Sequence, residues 1–116
     1  MNDVPITVRE ARKFSAWADA NWQADERAAF IDFLAYRPLA GAVIRGTGGV
    51  RKVRWSMPGR GKSGGARVIY YYHNAGYPLT VLWAYAKSER ADLSPAEKAE
   101  WRLVVELIKV AARNRT

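Results

Sequence analysis

The sequence predicts a small α+β domain: two short N-terminal helices, an antiparallel β-meander of three to four strands, and one C-terminal helix. Three observations carry this reading. Apolar residues recur at helical spacing up to Pro38, then alternate beyond Gly49. Three segments rich in β-branched and aromatic residues follow one another, separated by stretches that contain glycine. A full helix-start signal stands at Ser94-Pro95-Ala96-Glu97. Helices with one apolar stripe must bury it, so they are expected to pack on the sheet.

Taken in order, Pro5-Ile6-Thr7-Val8 is short and β-branched, either a first strand or a lead-in. Between Arg9 and Asn21, the residues Phe14, Trp17 and Ala18 fall at i, i+3, i+4 and predict a helix. Asn21-Trp22 is a break. Asp25 suits the N-cap of a second helix whose apolar face would be Ala28, Ile31, Leu34 and Ala35. Pro38 stops it, since the residue before a proline disfavours the helical conformation. Residues 39–49 read as loop, closing on Gly46-Thr47-Gly48-Gly49. Val50 to Ser56 alternates and predicts a strand; Met57 to Gly65 holds four glycines and a proline and predicts a long loop. Val68 to His73 predicts the next strand, Asn74-Ala75-Gly76 a turn, and Leu79 to Tyr85 a largely apolar strand covered on both faces. In the last helix Ser94 is the N-cap, Pro95 stands at N1 and Glu97 closes a capping box. Trp101, Val104, Val105, Ile108, Ala111 and Ala112 form its apolar face.

The chain of 116 residues is expected to be one domain, 1–116, with a core fed by fourteen aromatic residues. It has no cysteine and one histidine, so neither a disulfide nor a metal centre is expected. No cofactor motif is present. The first eight residues do not resemble a signal peptide, and no apolar run is long enough to span a bilayer. The expectation is a cytoplasmic protein with no membrane partner.

The charge is local. The net +8 divides into −1 for residues 1–44, +7 for 45–72 and +2 for 73–116. Residues 45–72 hold seven basic side chains (Arg45, Arg51, Lys52, Arg54, Arg60, Lys62, Arg67) and no acidic one. Charges that serve solubility alone are mixed in sign. An acid-free basic block builds a positive field that attracts polyanions, nucleic-acid phosphates above all.

Strand alternation places Lys52 and Arg54 on one face, opposite Arg51, Val53 and Trp55. It also places Arg67, Ile69, Tyr71 and His73 together, opposite Val68, Tyr70 and Tyr72. If these strands pair, Lys52, Arg54 and Arg67 gather on one surface, and Lys87 at the end of the last strand reaches its rim. Arg60 and Lys62 hang beside it on the glycine loop. Against this stands the plainer reading of any charge run, a solvated face. Tyr70, Tyr71 and Tyr72 either stack bases, as aromatic rings do on single-stranded RNA, or have one or more of their number facing the core, and the five tryptophans are expected to be core residues. His73 at a strand end is either a general acid or base or an ordinary polar residue. There is no P-loop, no paired carboxylate arrangement, no Gly-x-Ser-x-Gly and no His-Glu-x-x-His. Any catalysis would use cations. Arginine can neutralise a pentavalent phosphorane but cannot act as a base, whereas a lysine crowded by cations can exchange a proton.

Three blocks resemble a known family. These are Gly46-Thr47-Gly48-Gly49-Val50-Arg51-Lys52-Val53-Arg54-Trp55, then Gly61-Lys62-Ser63-Gly64-Gly65-Ala66-Arg67-Val68-Ile69-Tyr70-Tyr71, then Tyr85-Ala86-Lys87-Ser88-Glu89-Arg90-Ala91-Asp92-Leu93-Ser94. Together they resemble the RelE/ParE superfamily, and within it the HigB-type toxins of bacterial type II toxin–antitoxin pairs, over roughly residues 5–110. The resemblance implies a RelE-like fold and a metal-independent mRNA endonuclease. Such a toxin enters the ribosomal 30S A site, cuts mRNA through the substrate's own 2′-hydroxyl, and is blocked by an antitoxin with a helix-turn-helix domain. Carried over by position, the catalytic cations fall on Lys52, Arg54, Arg67 and Lys87. Arg51, Arg60, Lys62, Tyr71 and His73 are placed as RNA- or ribosome-binding residues. Two positions depart from the family pattern. Ser88 stands where an arginine is usual, and Leu93 or Ser94 where a catalytic tyrosine is usual. Proton transfer would then fall to Tyr85, Tyr71, His73 or a lysine. The alternatives are a ParE-like DNA gyrase inhibitor, which generally lacks a cationic cluster on the sheet, and a non-catalytic nucleic-acid-binding module.

Overall fold

A computed structural model describes residues 4–56 and 65–114. The chain runs β1 (Val8–Glu10), α1 (Arg12–Asn21), α2 (Ala24–Tyr36), β2 (Ala42–Val43), β3 (Arg51–Trp55), β4 (Ala66–Tyr71), β5 (Leu79–Ala86) and α3 (Pro95–Arg113). The strands form one sheet in the order β1-β5-β4-β3-β2. β2 to β5 pair antiparallel; β1 pairs parallel with β5, Val8 opposite Leu79 and Glu10 opposite Val81. The α+β class and the meander agree with the sequence reading, and the sheet has one strand more than the upper end of its three to four.

The sheet is covered on both faces. On one, α1 and α2 bury Phe14, Ala18, Phe30 and Leu34 against Val68, Tyr70, Leu79, Val81 and Ala84. On the other, α3 buries Trp101, Val105 and Ile108 against Ile69, Tyr71, Leu82 and Tyr85. Central β4 and β5 are therefore almost wholly buried, as the unbroken apolar run of β5 requires.

Several boundaries differ from the sequence reading, each for a local reason. The first strand is Val8–Glu10 and not Pro5–Val8, because Leu79 N–H donates to Thr7 and Ala11 N–H to Val81. That ladder delays α1 to Arg12. α2 is preceded by Gln23, which makes no side-chain cap; Asp25 lies within the first turn, where its carboxylate accepts the Glu26 N–H and faces the positive end of the helix. The buried face of α2 is Phe30, Leu34 and Ala35, with Ile31 half-buried and Ala28 exposed. Phe30 has more apolar area to hide, and packs against Phe14, Trp22 and Trp55. Residues 39–49, expected as loop, contain β2 and a tight return. Ile44 N–H donates to Val50 at 2.8 Å, and the buried Thr47 hydroxyl bridges the same two residues, donating to the Ile44 carbonyl and accepting the Val50 N–H. The strand expected to reach His73 ends at Tyr71. Of the five tryptophans only Trp101 is fully in the core; Trp17, Trp22, Trp55 and Trp83 are half-buried.

The capping box of α3 forms as the sequence dictates. The Ser94 hydroxyl accepts the Glu97 N–H at 3.1 Å, and Glu97 Oε1 accepts the Ser94 N–H at 2.8 Å.

Candidate functional site: a cationic row on the sheet

The register aligns the basic residues in rows. Arg54 of β3 is directly opposite Arg67 of β4, and Arg67 is directly opposite Tyr85 of β5. One pair further along, Lys52 is opposite Ile69, which is opposite Trp83. Directly opposed residues project to the same face, so Lys52, Arg54, Arg67 and Tyr85 share the α3 side of the sheet, two residues or about 7 Å apart along each strand. The three cations expected to gather do so. Arg54 is exposed, Lys52 half-buried and Arg67 only 8% exposed, held between its neighbours on β3 and β5.

The β3–β4 pair can run in this register because Gly65, just before β4, stands at φ +54°. A Cβ there would lie 2.5 Å from the Trp55 carbonyl oxygen, so glycine alone fits beside the end of β3. Gly65 also accepts the backbone N–H of Lys87 at 3.2 Å, which ties the residue after β5 to the mouth of the β3–β4 pair. Lys87 is exposed there.

The segment 87–94 frames the row. Asp92 approaches Lys52 at 3.4 Å while its carboxylate accepts the Leu93 N–H at 2.9 Å. That backbone hydrogen bond first, and the Lys52 charge after it, hold the Asp92 carboxyl below its ordinary range. Arg90 lays its guanidinium over the rings of Trp83 at 5.3 Å and Tyr85 at 5.8 Å, and pairs with Glu97. Glu97 is therefore shared between the helix cap and Arg90; the Ser94 N–H, then Arg90, lower its carboxyl. Lys13 of α1 also lies over the Trp83 ring, at 4.5 Å.

Tyr85 occupies the centre of this frame. It is 2% exposed, and its hydroxyl has no hydrogen-bond partner among the described residues. Burial first, and Asp92 next, push its hydroxyl above the ordinary phenol value, against the opposing pull of Arg67 and Arg90. Tyr85 thus stays protonated at neutral pH. An open groove lined by Trp17, Asn21, Trp83, Tyr85, Glu89 and Arg90 runs beside it.

The remaining expected residues lie elsewhere. Arg51 is on the opposite face and donates to the Gly41 carbonyl at 2.6 Å, so it is separated from the row by the sheet. Tyr71 offers no ring for stacking: it is buried under α3, and its hydroxyl meets His73 Nδ1 at 3.2 Å. His73 stands beyond the end of β4, edge-on to Tyr77, at the far end of the strand from Arg67. Arg60 and Lys62 lie outside the described residues. Arg90 and Asp92 received no role from sequence, although Ser94-x-x-Glu97 fixes the carboxylate that Arg90 seeks and so carried an indirect signal.

The result is a cationic row on the sheet with one buried phenol beside it. The family model described as "RelE toxin of RelE / RelB toxin-antitoxin system" matches residues 40–115, from the turn before β2 to the end of α3. It takes in every strand that supplies the row and leaves β1, α1 and α2 outside. The match covers more than half of the chain, so the protein belongs to the RelE toxin family and is the toxin of a toxin–antitoxin system, with an antitoxin as its partner.

Proposed function

We propose that the protein is a ribosome-dependent mRNA endonuclease of the HigB-like kind and that Lys52, Arg54, Arg67 and Lys87 carry its chemistry. The observation that supports this best is the direct opposition of Arg54 and Arg67. Like charges placed opposite each other in a sheet oppose folding. A bound phosphodiester places negative charge between the two guanidinium groups, and the dianionic phosphorane of the transition state places more there, which is differential stabilisation of the kind catalysis needs.

In the proposed step the substrate 2′-hydroxyl loses its proton to a base, a role Lys52 fills only in its neutral form, released from Asp92, and its oxygen bonds to phosphorus. The bond from phosphorus to the 5′-oxygen breaks, and that oxygen takes up a proton. The products are a 2′,3′-cyclic phosphate and a 5′-hydroxyl end. Arg67, fixed by its burial, and Arg54 neutralise the non-bridging oxygens through their planar forks. Tyr85, kept protonated by burial, is excluded as the base, and it donates to the leaving oxygen only where substrate opens its buried hydroxyl. Lys87, at the rim, fits a backbone phosphate contact. Entry to the 30S A site, an antitoxin with a helix-turn-helix domain and residence in the cytoplasm belong to the same proposal.

Induction in a bacterium followed by primer-extension mapping of mRNA ends tests the reading. Cuts inside translated codons that vanish when translation is blocked are expected. Arg67→Ala should lower cleavage by about 10²–10³-fold with the fold intact, the scale of one lost transition-state donor. Growth arrest with DNA damage and intact mRNA would instead indicate gyrase poisoning. Full toxicity of Arg67→Ala would remove Arg67 from the site.

A further inference from the structure

Tyr85 belongs to two surfaces. It stands beside the cationic row, directly opposite Arg67 and so one strand spacing, about 5 Å, from it. It also lines a groove of about 340 Å³ with Trp17, Asn21, Trp83, Glu89 and Arg90. That size is at the lower end of ligand clefts, about 300–1,000 Å³, and suits one planar ring system. α1 supplies Trp17 and Asn21, β5 supplies Trp83 and Tyr85, and the segment after β5 supplies Glu89 and Arg90. The flat groups are fixed within the fold. Trp17 stands edge-on to Trp22 at 5.1 Å, and the Arg90 guanidinium is tied to Glu97 and to the rings of Trp83 and Tyr85.

The chemistry of the lining narrows the occupant. A phosphate is disfavoured by the Glu89 carboxylate, and an aliphatic group would leave the polar edges of Asn21, Glu89 and Arg90 without partners. A nucleobase answers both demands: its face stacks on indole and guanidinium planes, and its edge meets the polar groups. Glu89 selects among the bases. Its Oε1 accepts the Ala86 N–H at 3.2 Å, which anchors the carboxylate, and a carboxylate has further lone pairs to offer. Guanine alone carries two adjacent donors, N1–H and the 2-amino group, that match a carboxylate fork. Adenine and cytosine would bring a ring-nitrogen acceptor against it, and uracil two carbonyl oxygens. Asn21 gives one amide N–H to the Trp17 carbonyl at 2.8 Å and has a second for the guanine O6. We infer that this groove is a guanine-reading subsite, in which Glu89 selects the base, Asn21 supports it, and Trp17 and Arg90 stack on it, for a nucleotide adjacent to the phosphate held by Arg54 and Arg67. The inference rests on RNA being the substrate of the row.

The test separates the two readings. Affinity is measured for the full-length protein against 2′-O-methyl pentanucleotides, which cannot be cut through the 2′-oxygen, of sequence UUGUU, UUAUU, UUCUU and UUUUU. UUGUU should bind about 10-fold tighter than the others, the scale of one bidentate base contact. Replacing its guanine by inosine, which lacks the 2-amino group, should remove most of that preference with the protein unaltered. Glu89→Gln keeps an acceptor for the Ala86 N–H and, being at an exposed position, should keep the wild-type melting temperature, yet should bind all four sequences within about 2-fold. In cells, wild-type cuts should fall beside guanine and those of Glu89→Gln should spread to other bases. Equal affinity for the four sequences, full affinity for the inosine probe, or a guanine preference that survives Glu89→Gln would overturn the inference. Guanine-selective binding without any mRNA cleavage would sink the nuclease reading and leave the subsite standing, whereas codon cleavage indifferent to guanine would do the reverse.

Discussion

Arg54 and Arg67 face each other across β3 and β4, and this pairing makes opposite demands on folding and on function. Arg54→Ala removes the like-charge opposition, so its thermal melt should rise by the equivalent of about 0.2–1 kcal/mol while cleavage falls. A melt that drops instead would mean that Arg54 contributes to packing. Tyr70 shows the contrasting case of a polar group used for structure. It is fully buried, its hydroxyl accepts the Gly41 N–H and donates to the Pro38 carbonyl, both at 2.8 Å, and burial raises it above the ordinary phenol value. Tyr70→Phe leaves both backbone groups unpaired and should cost about 1–3 kcal/mol in chemical denaturation, with no effect on the cationic row. Tyr85 differs from Tyr70 in having no such partners among the described residues. Tyr85→Phe should therefore be nearly neutral for stability, and any loss of cleavage would report on proton donation.

Among the elements, α3 and the segment before it repay close comparison. Glu97 serves both the Ser94 cap and Arg90, whereas Ser94 serves the cap alone. Ser94→Ala should cost about 1 kcal/mol, the usual worth of a cap. Glu97→Ala should cost more, and should raise hydrogen exchange across 87–94. Equal costs and equal exchange would show that the Arg90 tie contributes nothing. This element was legible in the sequence because Ser-Pro-x-Glu states its own geometry, and β4 and β5 were legible because two faces of burial leave an unbroken apolar run. Lys52, Arg54 and Arg67 were placed correctly because a period of two assigns faces without any knowledge of neighbours. β2 was not legible: two residues after Gly41 carry no pattern, and the hairpin depends on the Thr47 hydroxyl and on Gly46, Gly48 and Gly49 at positive φ. Tyr71 was misjudged because alternation puts it on the site's face, and only the path of α3 decides that this part of the face is covered. Arg90 was signalled only indirectly, because its role depends on β5 and a helix cap meeting at one point.

For the molecule as a whole, acid should be the weak flank. Glu10 is lowered chiefly by its hydrogen bond from Arg27, with Ser15 assisting, and this links β1 to α1 and α2. Asp92 and Glu97 are lowered as well. A carboxyl whose folded value lies below its unfolded value, about 4 for Asp and Glu, binds fewer protons when folded. Its stabilisation is present above that unfolded value and is lost as pH falls through the folded one. Melting temperature should hold from pH 7 to about 5 and decline below about 4.5. Glu10→Gln should start lower and show a shallower decline; a decline as steep as wild type would exclude Glu10 as a contributor.

The parallel pairing of β1 with β5 has a temporal meaning. Arg9 bonds the Thr80 side chain across 71 positions of sequence, so the first strand to be made has no partner until the penultimate element exists. Such a distant pairing closes late and slowly. The sheet is therefore completed from its local meander outward, and its N-terminal edge, although made first, is the last strand to find its place.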